Sequence, residues 1–189
     1  MALRELMAQR QAALCSRWLD AVLGEYGPVT AARWRQERDQ FANPIGHALS
    51  MGLPELVAAV ASDRGMGERA LSALHEIVKI RSVQDLSPSR AVGFVYLLRR
   101  VIREELAAEL AGGTLAPELA ALDAQIEQLA LLTFDAYVAL REEMFRLRQE
   151  ELKRSVASIL RRWHGGVVPE EASAELVRLS PLAGGSQRR

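Results

Sequence analysis

Three histidines are the first residues whose side chains could bind a metal or transfer a proton near neutral pH. They are His47, His75 and His164. None stands at the spacing of a metal site, and the chain has no Glu-x-x-His pair of the di-iron kind. His75 shares a predicted helical face with apolar residues, which suits a haem ligand but also a partly buried histidine with one hydrogen bond. We therefore predict no metal and no cofactor, with His75 as the single candidate ligand.

The remaining nucleophiles and acids do not form a catalytic group. Cys15 lies one helical turn before Trp18, where a small buried side chain is favoured over a reactive thiol. Asp135 and Tyr137 are two positions apart, so on a helix they point in different directions, and an acid–base role with Glu142 is disfavoured. The chain has no phosphate-binding loop and no nucleophile elbow. The sequence predicts no catalytic residue and a protein that is not an enzyme.

Two dipeptides have the composition of helix starts. In Asn43-Pro44 and Ser87-Pro88, the first side chain can accept a hydrogen bond from a free backbone N–H at the helix start. Proline then occupies the first helical position, where its missing N–H costs no intrahelical hydrogen bond. Gln84-Asp85 precedes the second start, and the positive end of that helix attracts anions. Capping by Asp85 and Ser87 themselves is the favoured interpretation.

Charge excludes whole classes of partner. The chain has 24 basic and 24 acidic residues, whereas nucleic-acid binding requires a basic surface. The cluster Arg99, Arg100 and Arg103 adjoins Glu104 and Glu105, which indicates a solvated helix face. No charge-free run is long enough to cross a membrane. We predict no nucleic-acid partner and no membrane insertion.

The elements that carry these residues are helical, because apolar residues recur every three or four positions and strand-like alternation is almost absent. We predict an all-α bundle of about six helices. The predicted helices cover residues 3–24, 30–40, 44–62 with a break or kink at Gly52–Pro54, 67–81, 88–110 and 115–163. A short helix and a flexible tail are predicted within residues 165–189.

The last predicted helix is too long for a domain of this size to bury. Its second half carries an apolar stripe with spacings of 7, 4, 3 and 4: Phe145, Leu152, Val156, Ile159 and Trp163. We expect this half to project from the core and to form a dimer interface. The predicted divisions are a helical domain at 1–140, a dimerisation helix at 141–164 and the tail at 165–189.

Three strings together resemble a known family. They are residues 41–44 (FANP), 80–92 (IRSVQDLSPSRAV) and 131–137 (LLTFDAY), with Arg141-Glu142 following. Their order and spacing are similar to those of the RsbRD-type N-terminal domain of RsbT co-antagonist proteins, over about residues 5–160. The motif positions are Asn43, Pro44, Arg81, Gln84, Asp85, Ser87, Pro88, Asp135 and Tyr137.

The resemblance implies a globin-like, all-helical and dimeric sensory domain without chemistry of its own, related to the non-haem globin sensors of stressosome proteins. In that family the domain typically precedes a phosphoacceptor domain that the kinase RsbT modifies. Only 26 residues follow Trp163, too few for such a domain, so the expected output is another chain.

The leading hypothesis is a non-catalytic regulatory module that acts by homodimerisation and by contact with an unidentified regulatory protein. The alternative is a globin-like sensor that binds a small ligand, including haem, among His75, Tyr96 and Trp34. With one cysteine and a charged N-terminal segment, the expected location is the cytoplasm.

Overall fold

The computed structural model describes residues 2–37, 39, 41–62, 65–84 and 86–163, and this part of the chain contains no strand. Its eight helices are α1 (Leu3–Gln9), α2 (Gln11–Gly24), α3 (Pro28–Gln36), α4 (Pro44–Val60), α5 (Glu68–Ser82), α6 (Pro88–Glu105), α7 (Ala107–Leu110) and α8 (Ala116–Trp163). The predicted all-α fold with a long C-terminal helix is confirmed. Asp85, His164 and the tail at 165–189 lie outside the described residues.

Both predicted proline starts are helix starts in the structure. At the start of α4, Asn43 Oδ1 accepts a hydrogen bond from the Gly46 N–H at 2.8 Å. At the start of α6, Ser87 Oγ accepts one from the Arg90 N–H at 3.4 Å. Proline follows each cap in the first turn, where its missing N–H has no intrahelical partner to lose.

Two predicted helices are each divided in two, which accounts for the difference between about six and eight. Arg10 leaves helical geometry (φ −105°, ψ 15°) between α1 and α2, and Leu106 does so (φ −106°, ψ 19°) between α6 and α7. The Arg10 guanidinium donates to the carbonyl oxygen of Glu105 at 2.9 Å and to the carboxylate of Glu109. A carbonyl at a helix end lacks an intrahelical donor, so this contact between distant segments stabilises the second break.

The helix α4 continues through Gly52 and Pro54, where the sequence predicted a break or kink. This stretch of α4 packs against α5. A Cβ atom at Gly52 would lie 2.7 Å from Cδ1 of Ile77, so α4 and α5 meet at this glycine. The Gln11 side-chain amide also donates to the Pro54 carbonyl oxygen at 3.3 Å.

The core forms where α2 packs against α4 and α6, and where α4 packs against α5. Trp18, Phe94 and Leu98 are fully buried there, and α8 adds Ile126 and Leu129. The chain divides into two compact units, Met1–Arg141 and Glu142–Arg189, and this core belongs to the first. None of the described helices is long and apolar enough to cross a membrane.

Candidate functional site

The three residues of the expected ligand pocket do not line a common cavity. Trp34 lines a groove of about 530 Å³ with Leu23. Tyr96 lines a different groove, beside Arg99. His75 lines neither and is exposed on α5. A haem ligand requires an apolar surround for the porphyrin, so this geometry does not support the haem hypothesis.

The thiol of Cys15 and the acid–base candidates Asp135 and Tyr137 do not form a catalytic group either. Cys15 is half-buried, and burial raises the pKa of its thiol, which disfavours the reactive thiolate. Asp135 is exposed whereas Tyr137 is 7% exposed, so the two face different environments as expected. The described residues contain no group of three histidine, cysteine or carboxylate side chains placed to hold a metal.

The most connected polar side chain is the buried Arg81, at the C-terminal end of α5. Its side chain is 1% exposed. It donates to the Tyr26 hydroxyl at 2.9 Å and to a Glu25 carboxylate oxygen at 2.8 Å, both just after α2. It also donates to the carbonyl oxygens of Arg90 at 2.7 Å and Ala91 at 3.1 Å in the first turn of α6. One guanidinium therefore joins the ends of three helices.

Aromatic rings enclose this guanidinium. Its Cζ atom lies 5.5 Å from the Tyr26 ring centroid and 5.2 Å from that of Phe94, within the range of cation–π attraction. The Tyr26 hydroxyl donates in turn to Gln84 Oε1 at 2.6 Å. Burial raises the pKa of Tyr26, so its hydroxyl keeps the proton that it donates. We call Glu25, Tyr26, Arg81, Gln84 and Phe94 the arginine junction.

The arginine junction fixes helices in place and does not supply acid–base chemistry, because a guanidinium keeps its proton at physiological pH. It contains two motif positions of the resemblance: Arg81, for which the resemblance was the only indication, and Gln84, which also precedes the predicted start of α6. A sequence signal for burial was available: Arg81 follows Leu74 and Val78 at helical spacing, on the face that α5 buries. The partners Glu25 and Tyr26 lie 56 and 55 residues away in the sequence and had no such signal.

A second motif position, Asn43, forms a joint between α3 and α4. Its side chain is buried, and its amide donates to the carbonyl oxygens of Trp34 at 2.7 Å and Glu37 at 2.9 Å. Its Oδ1 caps α4 through the Gly46 N–H. Asn43 thus satisfies backbone groups at the end of one helix and the start of the next.

Replacement of Asn43 by alanine is expected to destabilise the protein by about 2–3 kcal/mol, because three hydrogen bonds are lost and two partly buried carbonyls lose a donor. Urea unfolding followed by far-UV circular dichroism measures the change. The matched control is Ser87→Ala, which removes a longer and exposed cap and is expected to cost about 0.5–1 kcal/mol. Equal losses in the two variants would contradict this role for Asn43.

Three arginines of α6 are paired with acidic side chains. Arg99 Nε lies 2.9 Å from Asp123 Oδ1, and Arg103 binds the same carboxylate. Arg100 Nε lies 3.7 Å from a Glu104 oxygen. These contacts agree with the interpretation of this cluster as a solvated helix face.

A groove of about 720 Å³ lies between α4 and α5. Met51 and Ile80 contribute apolar surface, whereas Glu55, Glu76 and Arg69 contribute charges of both signs. Mixed charge around an apolar floor does not select one class of ligand, so we assign none to it.

Within the described part of the second unit, exposed apolar side chains lie along residues 142–163 of α8. All five residues of the predicted stripe are exposed there, from 36% for Val156 to 85% for Trp163. Their spacing places Phe145, Leu152 and Ile159 at d positions of a heptad, with Val156 and Trp163 at a positions. We call these five side chains the apolar seam.

The amino-acid sequence matches one protein family over most of the described residues. Residues 12–152 match the RsbT co-antagonist protein rsbRD N-terminal domain. The chain belongs to this family. The matched range contains the whole arginine junction and ends at Leu152, so most of the apolar seam lies beyond it. The RsbRD N-terminal domain is a regulatory signalling domain and not a known enzyme family, which places this chain among domains related to RsbT co-antagonist signalling in stress response.

No curated protein and no solved structure is significantly similar to the chain.

Proposed function

We propose that this protein is a non-catalytic regulatory domain that acts in the cytoplasm by homodimerisation and by contact with another regulatory protein. The observation that carries the proposal is the apolar seam: five large apolar side chains lie exposed on one face of the second unit. Large exposed apolar surfaces on soluble proteins mark sites of association.

Burial of the apolar seam supplies the free energy for association. Removal of apolar surface from water contributes about 25 cal/mol per Å². Seven-residue spacing of the d positions keeps Phe145, Leu152 and Ile159 on one side of the helix, as a two-helix contact requires. The seam thus supports a second copy of the same helix as a partner.

Regulation through this contact requires that a signal favours one arrangement of the protein over another. The arginine junction supports a sensory role for the first unit, because it ties the ends of α2, α5 and α6 to one buried side chain. A partner that binds one arrangement of these ends more tightly would shift the population of that arrangement. The family's role in signalling complexes agrees with such an output through protein contact.

The test is the oligomeric state of the variant Leu152→Glu/Ile159→Glu. We expect the unchanged protein to sediment as a dimer and this variant as a folded monomer, because burying two carboxylates in the seam is unfavourable. Sedimentation equilibrium measures the mass, and circular dichroism checks the helix content.

The matched control is Arg154→Glu/Arg161→Glu, which introduces the same number of carboxylates at f positions, on the opposite face. This variant is expected to remain a dimer. An unchanged protein that sediments as a monomer throughout would overturn homodimerisation.

A further inference from the structure

The apolar seam has basic side chains along both of its edges. In the heptad that places Leu152 at d, the flanking e and g positions are occupied by Arg146, Arg148 and Lys153, followed by the uncharged Ser155 and Leu160. The basic side chains are exposed. The acidic residues of this segment lie elsewhere: Glu142 occupies an a position at its start, Glu143 and Glu150 occupy b positions, and Glu151 a c position. No acidic residue stands at an e or g position from 145 to 160.

Pairing of two identical seams brings these like charges together. In a parallel pair, each g residue faces the e residue of the following heptad, so Arg148 of one copy faces Lys153 of the other. In an antiparallel pair with Leu152 opposite Val156, the two copies of Lys153 face each other. Like charges at e and g positions of neighbouring helices repel each other. The basic edges therefore weaken self-association in both orientations.

A helix with the same apolar positions and acidic residues at e and g removes this repulsion and forms ion pairs instead. We infer that the preferred occupant of the apolar seam is such a helix on a different protein, with aspartate or glutamate along its edges. This inference rests on the proposed function only in using the seam as the contact surface. The second copy is then the weaker occupant, which the acidic partner displaces.

A nucleic acid fits this surface less well than an acidic helix does. The basic side chains flank apolar residues rather than forming a continuous basic stripe, and Glu150 and Glu151 interrupt them along the helix. A phosphate backbone gains nothing from Leu152 or Ile159, whereas a partner helix buries both.

The protein itself supplies a test helix with acidic edges. The variant Arg146→Glu/Arg148→Glu/Lys153→Glu keeps the apolar seam and reverses its edges. When it is mixed with the unchanged protein, we expect mixed dimers in excess, with the exchange constant raised roughly tenfold above its statistical value. Native mass spectrometry counts the three dimers, and higher salt is expected to reduce the excess.

The matched control is Arg154→Glu/Arg161→Glu, whose changed charges lie at f positions, away from the edges. When this variant is mixed with the unchanged protein, the three dimers are expected in statistical proportions. If the triple variant loses helix content, the single variant Lys153→Glu replaces it. This variant is also expected to give an excess of mixed dimers.

The outcomes separate this inference from the proposed function. Statistical mixtures for every variant would overturn the acidic-edge partner and leave homodimerisation in place. An unchanged protein that is monomeric alone but forms a mixed dimer with the acidic variant would support the inference and overturn homodimerisation. Monomers in every mixture would overturn both.

Discussion

Replacement of Arg81 by methionine is expected to destabilise the protein by about 3–5 kcal/mol, the range found when one partner of a buried ion pair is removed. The guanidinium makes four hydrogen bonds to two other segments of the chain, residues 25–26 and 90–91. Methionine has a similar length and is apolar, so the variant separates the loss of these bonds from the loss of packing volume. Urea unfolding followed by far-UV circular dichroism gives the free energy of unfolding.

Three further variants show whether the loss is specific to the arginine junction. Arg100→Met makes the same substitution at an exposed arginine and is expected to change stability by less than about 0.5 kcal/mol. Arg81→Lys keeps the charge without the planar fork, so an intermediate loss is expected. Tyr26→Phe removes one hydroxyl and is expected to cost about 1–2 kcal/mol. A loss below about 1 kcal/mol for Arg81→Met would show that the junction does not hold the helices together.

Replacement of Trp18 by alanine is expected to lower the free energy of unfolding by about 3–5 kcal/mol, because it leaves a cavity in the core. The Trp18 side chain is fully buried on α2, and its Nε1–H donates to the Phe94 carbonyl oxygen at 2.8 Å. The two rings stack, with centroids 6.0 Å apart. The substitution therefore removes packing, a hydrogen bond and a ring contact between α2 and α6.

Phe41→Ala is the control for this substitution, since Phe41 is also aromatic but 87% exposed. Its expected change is less than about 0.5 kcal/mol. The variant Trp18→Phe keeps most of the apolar surface and removes the indole N–H, so we expect a loss between those of the other two. Similar losses for Trp18→Ala and Phe41→Ala would contradict the placement of Trp18 in the core.

Local sequence rules predicted the parts of this protein that depend on neighbouring residues. The all-α class follows from apolar spacing, and the starts of α4 and α6 follow from the cap and proline pairs at 43–44 and 87–88. The length of α8 follows from a run without glycine and without proline after Pro117. The family also follows from sequence, because its motif strings keep their order and spacing.

Sequence patterns within one segment did not predict the features that depend on contacts with a distant segment. The break at Leu106 is stabilised by the Arg10 side chain, which binds Glu105 of α6 and Glu109 of α7, and α4 meets α5 where Gly52 lies against Ile77. The hypothesis of a pocket among His75, Tyr96 and Trp34 required three helical faces to converge, which periodicity along single helices does not specify.

The sequence by itself determined the helical class, the family and the order of residues along the apolar seam, because each of these depends on spacing along one chain segment. Only the tertiary structure showed that Arg81 is a buried junction, since its partners Glu25, Tyr26 and Arg90 come from segments that folding brings together. A hydrogen-bonded charge can be buried only where donors and acceptors from several elements converge, and that convergence is a property of the fold.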